Sequence, residues 1–160
     1  MGFAEEYFLR YAFPCAGVLL DSGKISQKEY NELGDSLKTE KFPSREVIEG
    51  YFVAAFRRIR NLALEMGIRD PWDMRVLRKY WEVSHNDNVD EREGGYAKMP
   101  EAFCDFCKVH EAEVLEILDN GFLLVGYGDV KRPVNGEYVV GVRVGEKVRI
   151  HHAYAVEKVE

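Results

Sequence analysis

Cys104-Asp105-Phe106-Cys107 places two thiols three residues apart. That spacing lets both sulfurs reach one metal ion, or lets them act as a redox pair. A closed structural zinc site needs four ligands, usually from two such pairs, and this chain has one pair. His110 lies just behind it and His85 lies ahead of it. A Cys2His2 set of His85, Cys104, Cys107 and His110 is therefore permitted by residue type, although its spacing follows no standard finger. A redox CxxC opens a helix after a strand in a βαβ unit, and no such unit is readable here. Two semi-buried thiols without special chemistry are the third reading.

His151-His152 is a second candidate. Consecutive residues on a strand point to opposite faces, so the two imidazoles do not form a chelate by themselves. Arg57, Arg58, Arg60, Arg75, Arg78 and Lys79 form a third group. They fall mostly opposite the apolar stripes of their helices, which reads as a solvated face or as a docking surface for an acidic partner. The helical aromatics sit at core spacing rather than as a stacking platform. There is no P-loop, GxGxxG, nucleophile elbow or HExxH, and no nucleophile, base and orienting group can be assembled. The expectation is a protein that is not an enzyme.

Composition narrows the classes further. Twenty-two Lys+Arg against 28 Asp+Glu give a net charge of −6. They divide as 15 against 18 in residues 1–103 and 7 against 10 in 104–160, so neither half is basic. Phosphate neutralisation needs a basic face, which argues against nucleic acid as the main partner. Three cysteines rule out a disulfide framework. The start Gly2-Phe3-Ala4-Glu5-Glu6 is acidic where a signal peptide would be basic, so no signal peptide is expected there. The apolar run 11–20 is too short for a membrane span and contains Pro14. A soluble cytoplasmic protein is expected. Nineteen glutamates beside the single Gln27 hint at a thermophilic source.

The elements that must position these residues change character along the chain. Helical periodicity runs through residues 1–84. Phe3, Tyr7, Phe8, Tyr11, Cys15, Val18 and Leu19 share one face, which Pro14 should kink or split. Ser26-Gln27-Lys28-Glu29 is a capping box. Phe42-Pro43-Ser44 opens the longest helix, striped by Ile48, Phe52, Ala55, Ile59, Leu62 and Met66 and ended by Gly67. Asp70-Pro71 reads as the start of a last helix that fades near Ser84. Residues 85–103 read as a connector. The period then becomes two. Strands are expected at Val114–Leu118, Phe122–Tyr127, Val130–Val134, Tyr138–Val142, Lys147–His151 and Tyr154–Val159, with tight turns at Asp119-Asn120-Gly121 and Asn135-Gly136. The fold class is α+β in two domains: an all-α helical bundle over 1–84, then a small OB-like antiparallel β-barrel over 104–160.

Three blocks of the β half carry a resemblance. Cys107-Lys108-Val109-His110-Glu111-Ala112-Glu113-Val114-Leu115-Glu116-Ile117 leads from a cysteine into a first strand. Val125-Gly126-Tyr127-Gly128-Asp129-Val130-Lys131-Arg132-Pro133-Val134 follows. Val144-Gly145-Glu146-Lys147-Val148-Arg149-Ile150-His151-His152-Ala153-Tyr154-Ala155-Val156-Glu157-Lys158 closes the series. In order and spacing these resemble the HypC/HupF family, the small chaperones of NiFe-hydrogenase maturation; residues 1–100 resemble no family. The resemblance implies an OB-like barrel. It also implies an iron fragment held by Cys107 and His151 and built with a HypD-like partner or delivered to a hydrogenase large-subunit precursor; Cys104 is additional to the family's pattern and would assist Cys107. Such a protein carries iron only as a transferred fragment and can be metal-free as purified. Here Cys107 is internal, and Glu111-Ala112 stand at the family's Pro-Gly. The other expectations are an interaction module with a structural zinc at Cys104 and Cys107, completed from His85 and His110, and an OB-fold nucleic-acid binder.

Overall fold

The computed structural model describes residues 2–160. The chain divides into two compact units, 1–84 and 85–160.

The first unit is helical. Helix α1 (Phe3–Ala12) gives way to a 3-10 turn at Phe13–Cys15 containing Pro14, and α2 (Ala16–Asp21) follows. Pro14 lacks the N–H that would continue the α-helical ladder, and a short 3-10 turn accommodates it. The capping box at Ser26 starts α3 (Gln27–Thr39): the Glu29 N–H donates to Ser26 Oγ at 3.1 Å, and the Ser26 N–H donates to Glu29 Oε1 at 2.9 Å. The long helix expected from Ser44 to Met66 is two helices, α4 (Arg45–Tyr51) and α5 (Val53–Glu65). Phe52 leaves helical geometry between them, at φ −102° and ψ 52°. Gly50, in the last turn of α4, lowers the local helical preference. Of the expected stripe Ile48, Phe52, Ile59 and Leu62 are buried, Ala55 and Met66 are half-buried, and Phe56 is buried beside them.

The last helix of this unit also starts later than Asp70-Pro71 suggests. Asp70 Oδ1 accepts the Trp72 N–H at 2.9 Å, which closes a turn. Asp73 is the cap, accepting the Arg75 N–H at 2.9 Å, and α6 runs Met74–Lys79. Trp72 is buried and donates its indole N–H to Glu49 at 2.7 Å, which holds the turn ahead of the helix. A π-helical stretch, Tyr80–Ser84, follows.

The second unit opens with α7 (His85–Asp90), a 3-10 turn at Gly94–Lys98 and α8 (Glu101–Cys107). Residues 85–103 are therefore largely helical rather than a plain connector. Their polar composition is that of short helices burying few side chains, among them His85 and Val89.

Then come β1 (His110–Ile117), β2 (Phe122–Tyr127), β3 (Val130–Asn135), β4 (Lys147–His151) and β5 (Tyr154–Val159). They close into a barrel in the order β1-β2-β3-β5-β4. Strand β1 pairs with both β2 and β4, and a bulge between Val114 and Glu116 bends it. The ladders are antiparallel except β3 with β5, which meet in parallel at Asn135 and Tyr154, so the barrel is not purely antiparallel.

Residues 138–142 form turns, not a strand. The Val139 N–H donates to Gly136 O at 3.0 Å and the Val142 N–H to Val139 O at 3.1 Å. This puts Val139 and Val142 inside while Val140 stays 82% exposed. The lumen is filled by Ala112, Val114, Leu123, Val125, Val134, Val139, Val142, Val148, Ile150 and Ala155.

Candidate functional site

The site of interest lies in the second unit, where α8 meets the barrel. On β4, Ile150 fills the lumen, so His151 points to the opposite face of the strand. His151 is nonetheless fully buried. The His85 ring of α7 lies against it edge-on at 5.0 Å, and the His152 ring at 4.7 Å. Helix α7 is fixed there by Asn86. Its side-chain amide donates to Val109 O at 2.7 Å and accepts the Val109 N–H at 2.8 Å, copying a strand partner just ahead of β1.

Between β4 and β5 the chain reverses through His152 and Ala153. His152 takes a left-handed φ of 51°, a conformation uncommon for a residue with a Cβ, although histidine adopts it more readily than most. The turn is tied to α8, because the His152 N–H donates to Phe106 O at 3.3 Å. The segments carrying Cys107 and His151 are thus joined through the residues that flank them. The His152 ring packs edge-on against Phe106 at 4.8 Å. Burial, with His151 and Arg132 adding to it, pushes its pKa down to about 3, so the ring is neutral near pH 7.

Cys104 and Cys107 share α8 and are both buried, and both are reduced thiols. Cys15 lies in the other unit, and burial pushes its thiol up to about 12, which makes it inert. His110 does not join the cysteines. Its Nε2 lies 2.8 Å from Asp105 O and 3.3 Å from Asp105 Oδ1, and its ring stacks on Tyr127 at 4.0 Å. Burial lowers its pKa. Among the described residues no three His, Cys, Asp or Glu are gathered to hold a metal ion. The four-residue zinc set of His85, Cys104, Cys107 and His110 is therefore not assembled, because His85 is packed on His151 and His110 is turned to Asp105.

A polar network that the sequence reading did not single out underlies this region. The Tyr127 hydroxyl donates to Asp105 Oδ2 at 2.9 Å. Arg132 donates Nε to that hydroxyl at 3.3 Å and Nη1 to His152 O at 2.6 Å, and lies over the Phe106 ring at 4.8 Å. The available signal was alternation: in Val130, Arg132 and Val134 a cation occupies a position whose neighbours at the same parity are apolar.

Three of the basic residues singled out in the sequence are engaged within the helical unit. Arg60 pairs with Glu49, Arg75 with Asp73, and Arg78 lies over the Tyr7 ring at 5.0 Å. Among the described residues no helix is long and apolar enough to cross a membrane. No family model, curated protein or solved structure matches this chain.

Proposed function

We propose that residues 85–160 are an OB-like carrier domain of the HypC/HupF kind. In this reading the protein is a non-enzymatic accessory chaperone of NiFe-hydrogenase maturation. Its cargo is an iron fragment, with Cys107 and His151 as the protein ligands. The observation that carries this is the hydrogen bond from the His152 N–H to Phe106 O at 3.3 Å, which draws together the segments bearing the thiol and the imidazole. The closed five-strand barrel, with β3 parallel to β5, supports an OB-like type.

The chemistry fits a carrier. Thiolate and imidazole are suitable iron ligands, and soft low-spin iron favours thiolate. Two protein ligands leave the remaining coordination to the fragment's own groups and to the acceptor, which permits release. Cys104, one helical turn before Cys107, assists. The partner is a HypD-like protein or a hydrogenase large-subunit precursor, met in a reducing cytoplasm that keeps the thiols reduced.

The test uses the full chain, anaerobic, titrated with Co(II) as a spectroscopic stand-in for iron and combined with affinity capture from a native extract. The expected result is a thiolate-to-metal band that Cys107→Ser abolishes and His151→Ala shifts, while Cys15→Ser leaves it intact. A hydrogenase-maturation protein should be recovered on the resin. Tight zinc whose loss in Cys104→Ser unfolds the protein would overturn the carrier reading in favour of a structural site. Recovery of no hydrogenase-related protein would remove the client.

A further inference from the structure

We propose that Arg132 is the positioning residue of the Cys107–His151 pair, holding α8 and the β4–β5 turn at the separation the two ligands require. This rests on the carrier reading of those two residues.

The cation stands where the barrel pattern calls for an apolar side chain. In the β2–β3 ladder Val134 faces Leu123 and Arg132 faces Val125, and these three apolar partners are in the lumen core. At the same parity one step on, Val130 faces Tyr127. A guanidinium at such a position loses part of its hydration and must recover hydrogen-bond acceptors and a flat surface from the protein. It finds them on the residues that flank the two proposed ligands. Nη1 donates to the carbonyl of His152, which follows His151. The guanidinium plane covers Phe106, which precedes Cys107. Nε reaches the Tyr127 hydroxyl, whose own proton goes to Asp105, two residues before Cys107. One side chain on β3 thereby touches or supports both segments, and the His152–Phe106 backbone bond lies beside it.

Two features separate this from a stabilising role alone. Arg132 Nη2 is buried and has no hydrogen-bond partner, an arrangement that destabilises the fold. In addition, Arg132 and Phe106 clamp His152 on both sides of its left-handed φ. Backbone strain that the surroundings hold in place concentrates at functional sites. The fork geometry matters: a lysine carries the charge but cannot lie flat on Phe106 while donating in two directions.

The experiment titrates the full chain with Co(II) alone and reads both the affinity and the position of the thiolate-to-cobalt band. Arg132→Lys and Arg132→Met are compared with Lys131→Met, a neighbouring exposed cation on the same strand. Loss of a group that orients metal ligands typically weakens binding by about 10–100-fold. Arg132→Met should fall in that range with a shifted band, Arg132→Lys should fall between it and wild type, and Lys131→Met should match wild type. Thermal melts report whether each variant is folded; should Arg132→Met fail to fold, the affinity and band of Arg132→Lys decide. Folded Arg132 variants with wild-type affinity and an unshifted, Cys107-dependent band overturn the positioning role and leave the carrier reading standing. A wild-type chain with no Cys107-dependent band overturns both.

Discussion

The two units solve the burial problem with different side chains, and their reactive residues divide along the same line. The helical unit is built on rings. Phe8 is fully buried and contacts Phe52, Phe56, Trp72 and Trp81, with centroids 4.8–5.8 Å away. Tyr11 stacks on Trp81 at 5.5 Å. The barrel lumen is filled with valine, alanine, leucine and isoleucine. Five strands enclose a narrow interior that branched aliphatic side chains fill and large rings do not. The four histidines of the second unit instead pack with each other and with Phe106 and Tyr127 outside that lumen. All four histidines and two of the three cysteines belong to this unit, while both tryptophans belong to the other. One unit thus holds an aromatic core without histidine, and the other holds its histidines outside its hydrophobic core.

That division gives each unit its own probe and sets the largest expected effect. Phe8→Ala removes a ring at the centre of the aromatic core and should cost about 4 kcal/mol. In urea, tryptophan fluorescence should unfold earlier while the histidine NMR signals keep their midpoint. Ile150→Ala should cost about 3 kcal/mol and do the reverse. Equal movement of both probes in both variants would mean that the two cores unfold as one.

A smaller effect tests where the titratable groups lie. His152 is held near a pKa of 3 in the fold and titrates near 6.5 unfolded. Its stabilising contribution is therefore complete above pH 6.5 and falls as the pH drops toward 3, because only the unfolded chain takes up the proton in that window. About 2.5 kcal/mol should be lost between pH 7 and pH 4.5, seen by the histidine probe and absent in His152→Asn. The tryptophan transition should show no matching component.

The smallest effect concerns local structure alone. Ser26→Ala removes one half of the capping box of α3 and should cost about 1 kcal/mol, read by tryptophan fluorescence. A matching shift of the histidine signals would contradict the division of probes between the units.

The residues that were legible in the sequence act over a few positions. Pro14 splits the first helical segment, Ser26 and Glu29 cap α3, and Gly67 ends α5 at φ 69°. Asn120 and Gly121 take left-handed φ values of 61° and 78° in the hairpin between β1 and β2. The change of period from helical to two announced the strands. Misreadings arose where two local signals competed. Asp70 reads as a cap, yet in the structure it closes a turn and Asp73 caps α6, with Trp72 buried between them. Residues 138–142 have the β-branched and aromatic composition of a strand, but in the barrel they fold into turns that bring Val139 and Val142 into the lumen.

For the site, sequence alone named the thiols and imidazoles but not their company. Cys104 and Cys107 had to share a helix face if α8 formed, and His151 and His152 had to diverge if β4 ran through them, because backbone geometry fixes side-chain direction within a few residues. That His110 turns to Asp105, that His85 covers His151, and that Arg132 reaches His152 across twenty residues were decided only when β1 closed on β4 and β3 met β5. Those contacts join segments far apart in the chain. The buried polar groups there take whatever partners closure brings within hydrogen-bond reach, and no local pattern of residues encodes that choice.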